Sequence, residues 1–150
     1  MTVVEQDLAD ADATAALGAA VGRALRRGDA VCLWGPLGAG KTTLARGLIR
    51  ALTRPDEEIP SPTFTLVQLY ETPGFPVAHF DLYRLAGADE AEELGLDEAL
   101  DEGAAVIEWP ERLDGRLPAD RMDILLRIEG EARRARLEPH GAWEGRAIEL

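Results

Sequence analysis

The sequence predicts one α/β domain of three layers, with helices packed on both faces of a mixed β-sheet. Three observations carry this. An apolar run from Ala30 to Trp34 passes through a glycine-rich turn into an amphipathic helix. Strand-like and helix-like segments alternate through the first part of the chain. Later segments become hairpin-like, with strands following one another directly.

From Asp12 to Arg27 the apolar residues Ala13, Ala16, Leu17, Ala20, Val21, Ala24 and Leu25 fall at helical spacing, with Asp12 as N-cap and Gly28-Asp29 as the stop. Ala30 to Trp34 is nearly continuous in its apolar residues, as a buried central strand should be. Thr42 to Leu52 places Leu44, Leu48 and Leu52 on one helix face. Pro55 to Pro62 is a polar, proline-marked loop. Thr63 to Tyr70, rich in β-branched and aromatic residues, reads as a strand, and Val77 to Leu82 as another, with a turn at Thr72-Pro73-Gly74 between them. Ala88 to Leu100 is an acidic helix interrupted at Gly95. Ala104 to Trp109 is an apolar strand closed by Pro110. Arg121 to Ile128 alternates as a half-buried strand does, and two short strands are expected at Ala135 to Leu137 and Arg146 to Leu150. The sequence shows no internal repeat, linker or low-complexity segment, so residues 1–150 read as a single domain.

Composition narrows the function. The chain has 150 residues, 46% of them hydrophobic, enough for one packed core. No apolar run is long enough to cross a bilayer, the first residues do not resemble a secretory signal, and the one cysteine, Cys32, rules out an intramolecular disulfide. These features predict a cytoplasmic protein with no membrane partner. A net charge of -12 repels phosphate backbones, so autonomous nucleic-acid binding is disfavoured; Arg133, Arg134 and Arg136 form the best local basic patch. Lys41 is the only lysine, the other basic residues being arginines, which marks a place where a compact, flexible ammonium is needed.

Gly35-Pro36-Leu37-Gly38-Ala39-Gly40-Lys41-Thr42 fits the phosphate-binding pattern G-x-x-x-x-G-K-[ST], between a predicted strand and a predicted helix. Glycines allow the loop to close so that the N–H groups of Gly38, Ala39, Gly40, Lys41, Thr42 and Thr43 converge on phosphates, and the helix that follows presents its positive end to the same anion. Lys41 is expected to reach the β- and γ-phosphates, and Thr42 to offer its hydroxyl to Mg²⁺. Such a loop needs an acid at the end of a neighbouring strand. Asp81 and Glu108 both qualify, and the pattern alone does not choose between them. Thr63, in the Ser61-Pro-Thr-Phe-Thr segment, is placed either to sense the γ-phosphate or in a plain proline turn. Trp109 either covers the site or fills core. His79 fits a buried supporting residue rather than a base, and Cys32 inert core. Guanine-reading Asn/Thr-Lys-x-Asp segments are impossible here, since asparagine is absent and Lys41 is committed to phosphate; the expected nucleotide is ATP.

Four segments in this order resemble the TsaE (YjeE) family, the ATPases of tRNA threonylcarbamoyladenosine biosynthesis: Gly38-Ala-Gly-Lys-Thr-Thr-Leu-Ala-Arg-Gly, Ser61-Pro-Thr-Phe-Thr-Leu-Val, His79-Phe-Asp-Leu-Tyr-Arg-Leu and Glu108-Trp-Pro-Glu. The resemblance covers roughly Leu8 to Leu137, leaving 138–150 poorly matched. It implies a P-loop NTPase-like fold, ATP and Mg²⁺ as cofactors, Thr42 and Glu108 as the metal ligands, and Asp81 as the acid that supports hydrolysis. It further implies a switch segment over Ser61 to Val67, Trp109 beside the site, Ala11 near adenine and Arg133 near the nucleotide. It implies a TsaB–TsaD heterodimer as partner, with tRNA engaged only indirectly. Pro36 stands where the family often has an acid, which leaves the loop amides untouched. The expected activity is ATP hydrolysis, weak alone and raised by the partners. The rival readings are a small-molecule kinase, for which Arg112, Arg116 and Arg121 would have to form a lid, and a nucleotide-gated binding module without useful hydrolysis.

Overall fold

The computed structural model describes residues 3–150. Its seven strands form one sheet in the order β1-β7-β6-β2-β5-β4-β3. These are β1 (Val4–Leu8), β2 (Ala30–Trp34), β3 (Val67–Tyr70), β4 (Val77–Asp81), β5 (Ala104–Glu108), β6 (Arg121–Glu129) and β7 (Ala132–Pro139). The middle strands β6, β2, β5 and β4 run parallel. Both edges are closed by antiparallel strands. The mixed sheet is as expected, and the hydrophobic residues of β2 and β5, the half-buried Trp34 excepted, are fully buried because helices cover both faces.

On one face lie α1 (Ala11–Ala24) and α2 (Lys41–Leu52), with Leu17, Val21, Leu44 and Leu48 packed on Val31, Leu33 and Val106. On the other face lie α3 (Ala88–Glu93) and α4 (Leu96–Glu102), over Cys32, Phe80 and Ile107. Each fully buried leucine contributes about 1.5–3 kcal/mol. The two helices of the first layer approach closely because glycines face the contact. A Cβ on Gly18 would strike the Leu44 carbonyl, and one on Gly47 the Ala15 carbonyl. That approach seats α2, and with it the glycine-rich loop that precedes it.

Several expected boundaries move, each for a local reason. The cap of α1 is Asp10, whose Oδ1 accepts the Ala13 N–H at 2.9 Å; Asp12 lies inside the first turn, where its charge favours the helix dipole. The helix stops at Ala24, short of Arg27, because Asp29 takes the Arg26 N–H at 2.6 Å. The expected strand from Thr63 begins only at Val67. Thr63 to Leu66 is a turn closed by the Leu66 N–H on the Pro62 carbonyl at 2.7 Å, and Leu66 takes a left-handed backbone with φ of 67°. No strand forms at Arg146 to Leu150, because both sides of β7 are already taken, by β6 and β1. The polar β1 was not expected at all.

The C-terminal segment is nevertheless part of the core. Trp143 is 1% exposed, Ile148 packs on the same cluster, and Arg146 makes a buried ion pair with Asp29 while donating to the Ala24 carbonyl at 3.1 Å. Among the described residues no helix is long and apolar enough to cross a membrane.

Gly47→Ala should destabilise the protein by about 1–3 kcal/mol, the usual scale of overpacking. Gly74→Ala, where an added Cβ meets nothing within 4 Å, should stay within about 0.5 kcal/mol. Urea unfolding of the two variants checks the difference.

Candidate functional site

The carboxyl ends of β2, β4 and β5 lie side by side, and the site is built there. Parallel pairing puts Asp81 opposite Glu108 on adjacent strands, and Leu33 opposite Glu108 on the other side. The strands bury their apolar residues and release their last side chains at the sheet's edge, where ligands bind in open α/β sheets.

β2 ends at Trp34 and the chain turns through Gly35 to Gly40 into α2. Gly40 caps α2 in a left-handed conformation, φ 107°, and a Cβ there would lie 3.3 Å from the Thr14 methyl. Gly35 has φ of 145°, and a Cβ would sit 2.6 Å from the Leu126 carbonyl. Only glycine meets both demands. The loop, Ser61, Thr63, Asp81, Glu108 and Trp109 line a cleft of about 240 Å³.

Inside it, Lys41 donates from Nζ to the carbonyls of Gly35 and Pro36, the latter at 3.2 Å, and stands 3.6 Å over the ring of Trp109. Its partners are thus carbonyls and a ring face rather than a carboxylate. Lys41 is 5% exposed, and burial holds its pKa below the usual lysine value, against the opposing pull of Glu108, Glu111 and Asp81. Thr42 donates from Oγ1 to Glu108 Oε1 at 2.8 Å, and the other carboxylate oxygen lies 2.7 Å from His79 Nε2. Asp81 accepts the Tyr83 N–H at 3.0 Å and the Thr63 hydroxyl at 3.4 Å. Thr63 in turn shares a hydrogen bond of 2.8 Å with Ser61. Trp109 holds a left-handed backbone, φ 61°, against Tyr83 with ring centroids 4.9 Å apart. It covers Lys41 and also packs against the core on the α3–α4 side of the sheet.

Lys41, Thr42, Thr43, Gly38, Ala39, Gly40, Thr63, Asp81, Glu108 and Trp109 are therefore brought together. Ala39 is 1% exposed, so its contribution is the backbone. Arg133 approaches from β7, donating to the Gly38 carbonyl at 3.2 Å. Ala11 is the first residue of α1, one turn before Thr14, outside the cleft lining. The link from His79 to Glu108 was missed. Residues 79 and 81 share one face of β4, but only the adjacency of β4 and β5 shows that this face meets Glu108.

The donor set suits a metal-bound nucleotide. A hydroxyl and a carboxylate in contact are oxygen ligands for a hard cation, beside main-chain amides and one ammonium for phosphates. Asp123, Glu138 and His140 also cluster, but Arg121 donates to both Asp123 oxygens at 3.2 and 3.1 Å and Trp34 Nε1 to one at 2.9 Å, so that carboxylate is already satisfied. The arginines proposed for a kinase lid disperse. Arg112 faces Tyr83, Arg116 pairs with Asp89, and Arg121 with Asp123. The basic patch on β7 divides likewise. Arg134 pairs with Glu5 and Asp7 and Arg136 with Glu138, while Arg133 turns to the loop.

The family model described as "Threonylcarbamoyl adenosine biosynthesis protein TsaE" matches residues 8–136. A Treponema pallidum protein named tRNA threonylcarbamoyladenosine biosynthesis protein TsaE is 41% identical over 122 residues, covering 81% of this chain and 89% of that protein. A Rickettsia bellii protein of the same name is 40% identical over 110 residues, 73% of this chain and 76% of that one. The crystal structure of Bacillus subtilis YdiB superposes with a TM-score of 0.77 at 27% identity, covering 95% of this chain and 90% of that one.

Cys32, three residues before the loop, is buried, and its thiol pKa is pushed far above the usual range by burial, with Asp123 adding to the shift. Because the thiolate is the reactive form, a disulfide reagent at pH 8 should label the native protein at least about 10²-fold more slowly than the urea-unfolded chain. Equal rates would contradict this placement.

Proposed function

The chain belongs to the TsaE family of threonylcarbamoyl adenosine biosynthesis proteins, and from that premise we propose that it is the magnesium-dependent ATPase of that tRNA modification. The modified base is adenosine 37 of tRNAs that read codons starting with A, and the enzyme works with TsaB and TsaD. The observation that supports this best is the bond from the Thr42 hydroxyl to Glu108, set beside Lys41 at the mouth of the glycine-rich loop.

Thr42 and Glu108 would hold Mg²⁺, and the amides of Gly38 to Thr43 would hold the phosphates. Bound Mg–ATP supplies the γ-phosphoryl group and a divalent charge beside it. Lys41 leaves the Gly35 and Pro36 carbonyls to offset phosphate charge, a short movement for a flexible side chain already desolvated. Asp81, which lines the cleft and accepts from Tyr83 and Thr63, would orient a water directly or through the metal shell. Thr63, hydrogen-bonded to that carboxylate, ties the switch segment to it. Trp109 shields Lys41 from solvent. Arg133, which donates to the Gly38 carbonyl, would lie near the phosphates from the β7 side, and Ala11, at the start of α1 outside the cleft lining, would lie near the base.

Among the described residues no arginine lines the cleft as a charge-neutralising finger, and Arg133 reaches only the Gly38 carbonyl of the loop. Arg84 lies on the Phe64 ring and Arg112 on Tyr83. Intrinsic turnover is therefore slow and depends on the partner complex for its rise. The net charge of -12 keeps tRNA an indirect partner.

Phosphate release from Mg–ATP, measured alone and with TsaB and TsaD, tests the proposal. The partners should raise the rate, and Lys41→Ala should lower it by roughly 10²-fold or more. Turnover unchanged in that variant would refute the role of Lys41. Binding also stabilises: Mg–ATP at about 100 times its dissociation constant should add about 2.7 kcal/mol to unfolding, and a chelator should remove most of that gain.

A further inference from the structure

We propose that His79 is a positioning residue for the metal-binding carboxylate, its Nε2–H fixing one oxygen of Glu108 so that the other is presented to Thr42 and to the cation; this rests on the reading of the cleft as a Mg–ATP site.

His79 sits mid-strand in β4, between Gln68 of β3 and Val106 of β5, and is fully buried. Its neighbours Ala78 and Phe80 pack into the α3–α4 layer, so the imidazole points the other way, into the layer beneath α2. That layer is apolar there, built from Val77, Val106 and their neighbours. One ring nitrogen lies 2.7 Å from Glu108 Oε2, and the other, Nδ1, is buried without a partner.

For the neutral ring, the choice between the two tautomers follows from this geometry. A ring with its proton on Nδ1 would set a nitrogen lone pair against a carboxylate oxygen at 2.7 Å, and would bury an unpartnered N–H as well. A proton on Nε2 gives a donor to Glu108 and leaves only an acceptor unpaired. A polar ring half-satisfied inside an apolar layer is a poor choice for packing, where a leucine would serve. What the imidazole supplies and a leucine cannot is one N–H aimed at Glu108. A glutamate carboxylate rotates easily about its last bond. Held at Oε2 by the ring and at Oε1 by Thr42, it has one orientation. Hydrogen bonds to ligating carboxylates fix them in this way.

The test compares ATP affinity in Mg²⁺ with ATP affinity in a chelator, by calorimetry, for wild type, His79→Leu and His79→Gln. In wild type, Mg²⁺ should tighten ATP binding. In His79→Leu that tightening should shrink by roughly 10–100-fold, the usual cost of losing such a supporting contact, with affinity in the chelator changed less than about threefold. His79→Gln, which keeps an N–H donor, should retain the Mg²⁺ effect within about threefold. A Leu variant with the full Mg²⁺ effect would overturn the assignment, and so would a folded Gln variant that loses the effect, a result that stands even if the Leu variant does not fold. A wild type indifferent to Mg²⁺ would overturn the underlying Mg–ATP reading instead, which separates the two failures.

Discussion

The hydrogen bond between Thr42 and Glu108 organises this protein's working end. It joins the first turn of α2 to the last residue of β5, across the gap where the glycine-rich loop opens. A glutamate 2% exposed, at the end of an otherwise apolar strand, is tenable only with good partners. Glu108 has two, a hydroxyl on one oxygen and an imidazole on the other. The same pair of oxygens, Thr42 Oγ1 and Glu108 Oε1, is what a small divalent cation selects. The contact that settles the carboxylate in the fold is thus also the place where a metal would enter it.

The rest of the fold holds the two sides of that contact still. Parallel pairing of β4 and β5 fixes Asp81 beside Glu108. On the other side, glycines in α1 and α2 let the helices approach until backbone meets backbone, which fixes the start of α2 and therefore Lys41 and Thr42. Below, Trp34 donates to Asp123, tying the residue before the loop to β6. Farther off, the Arg146–Asp29 ion pair pins the C-terminal segment to the turn before β2. Thr63 and Leu66 belong to a turn with one left-handed residue, held to Asp81 by the Thr63 hydroxyl at 3.4 Å and by the Asp81 N–H on the Leu66 carbonyl at 2.9 Å.

Much of this was legible in the sequence because it is local. The loop motif, its flanking strand and helix, and the apolar runs of β2 and β5 each declare themselves within a dozen residues. The same holds for Asp81 and Glu108 as strand-end acids, and the four segments together pointed to the family that the comparisons bear out. What was not legible depends on long-range pairing. β1 is short and polar and is a strand only because β7 offers it an edge. Arg146 to Leu150 looks like a strand but finds β7 flanked on both sides, and Arg146 is drawn to Asp29. His79 reads as a buried core or supporting residue, with nothing to say what it supports until β5 brings Glu108 to it. Thr63 to Leu66 has strand-forming residues, yet the Pro62 carbonyl captures the Leu66 N–H and turns the chain first.

A crystal structure of the protein grown with Mg²⁺ and a non-hydrolysable ATP analogue tests the central claim most directly. The claim predicts one Mg²⁺ between Thr42 Oγ1 and a Glu108 oxygen at about 2.0–2.1 Å from each, with Lys41 moved from the Gly35 and Pro36 carbonyls to the phosphates. A nucleotide bound elsewhere, or a metal in the cleft that touches neither Thr42 nor Glu108, would contradict it.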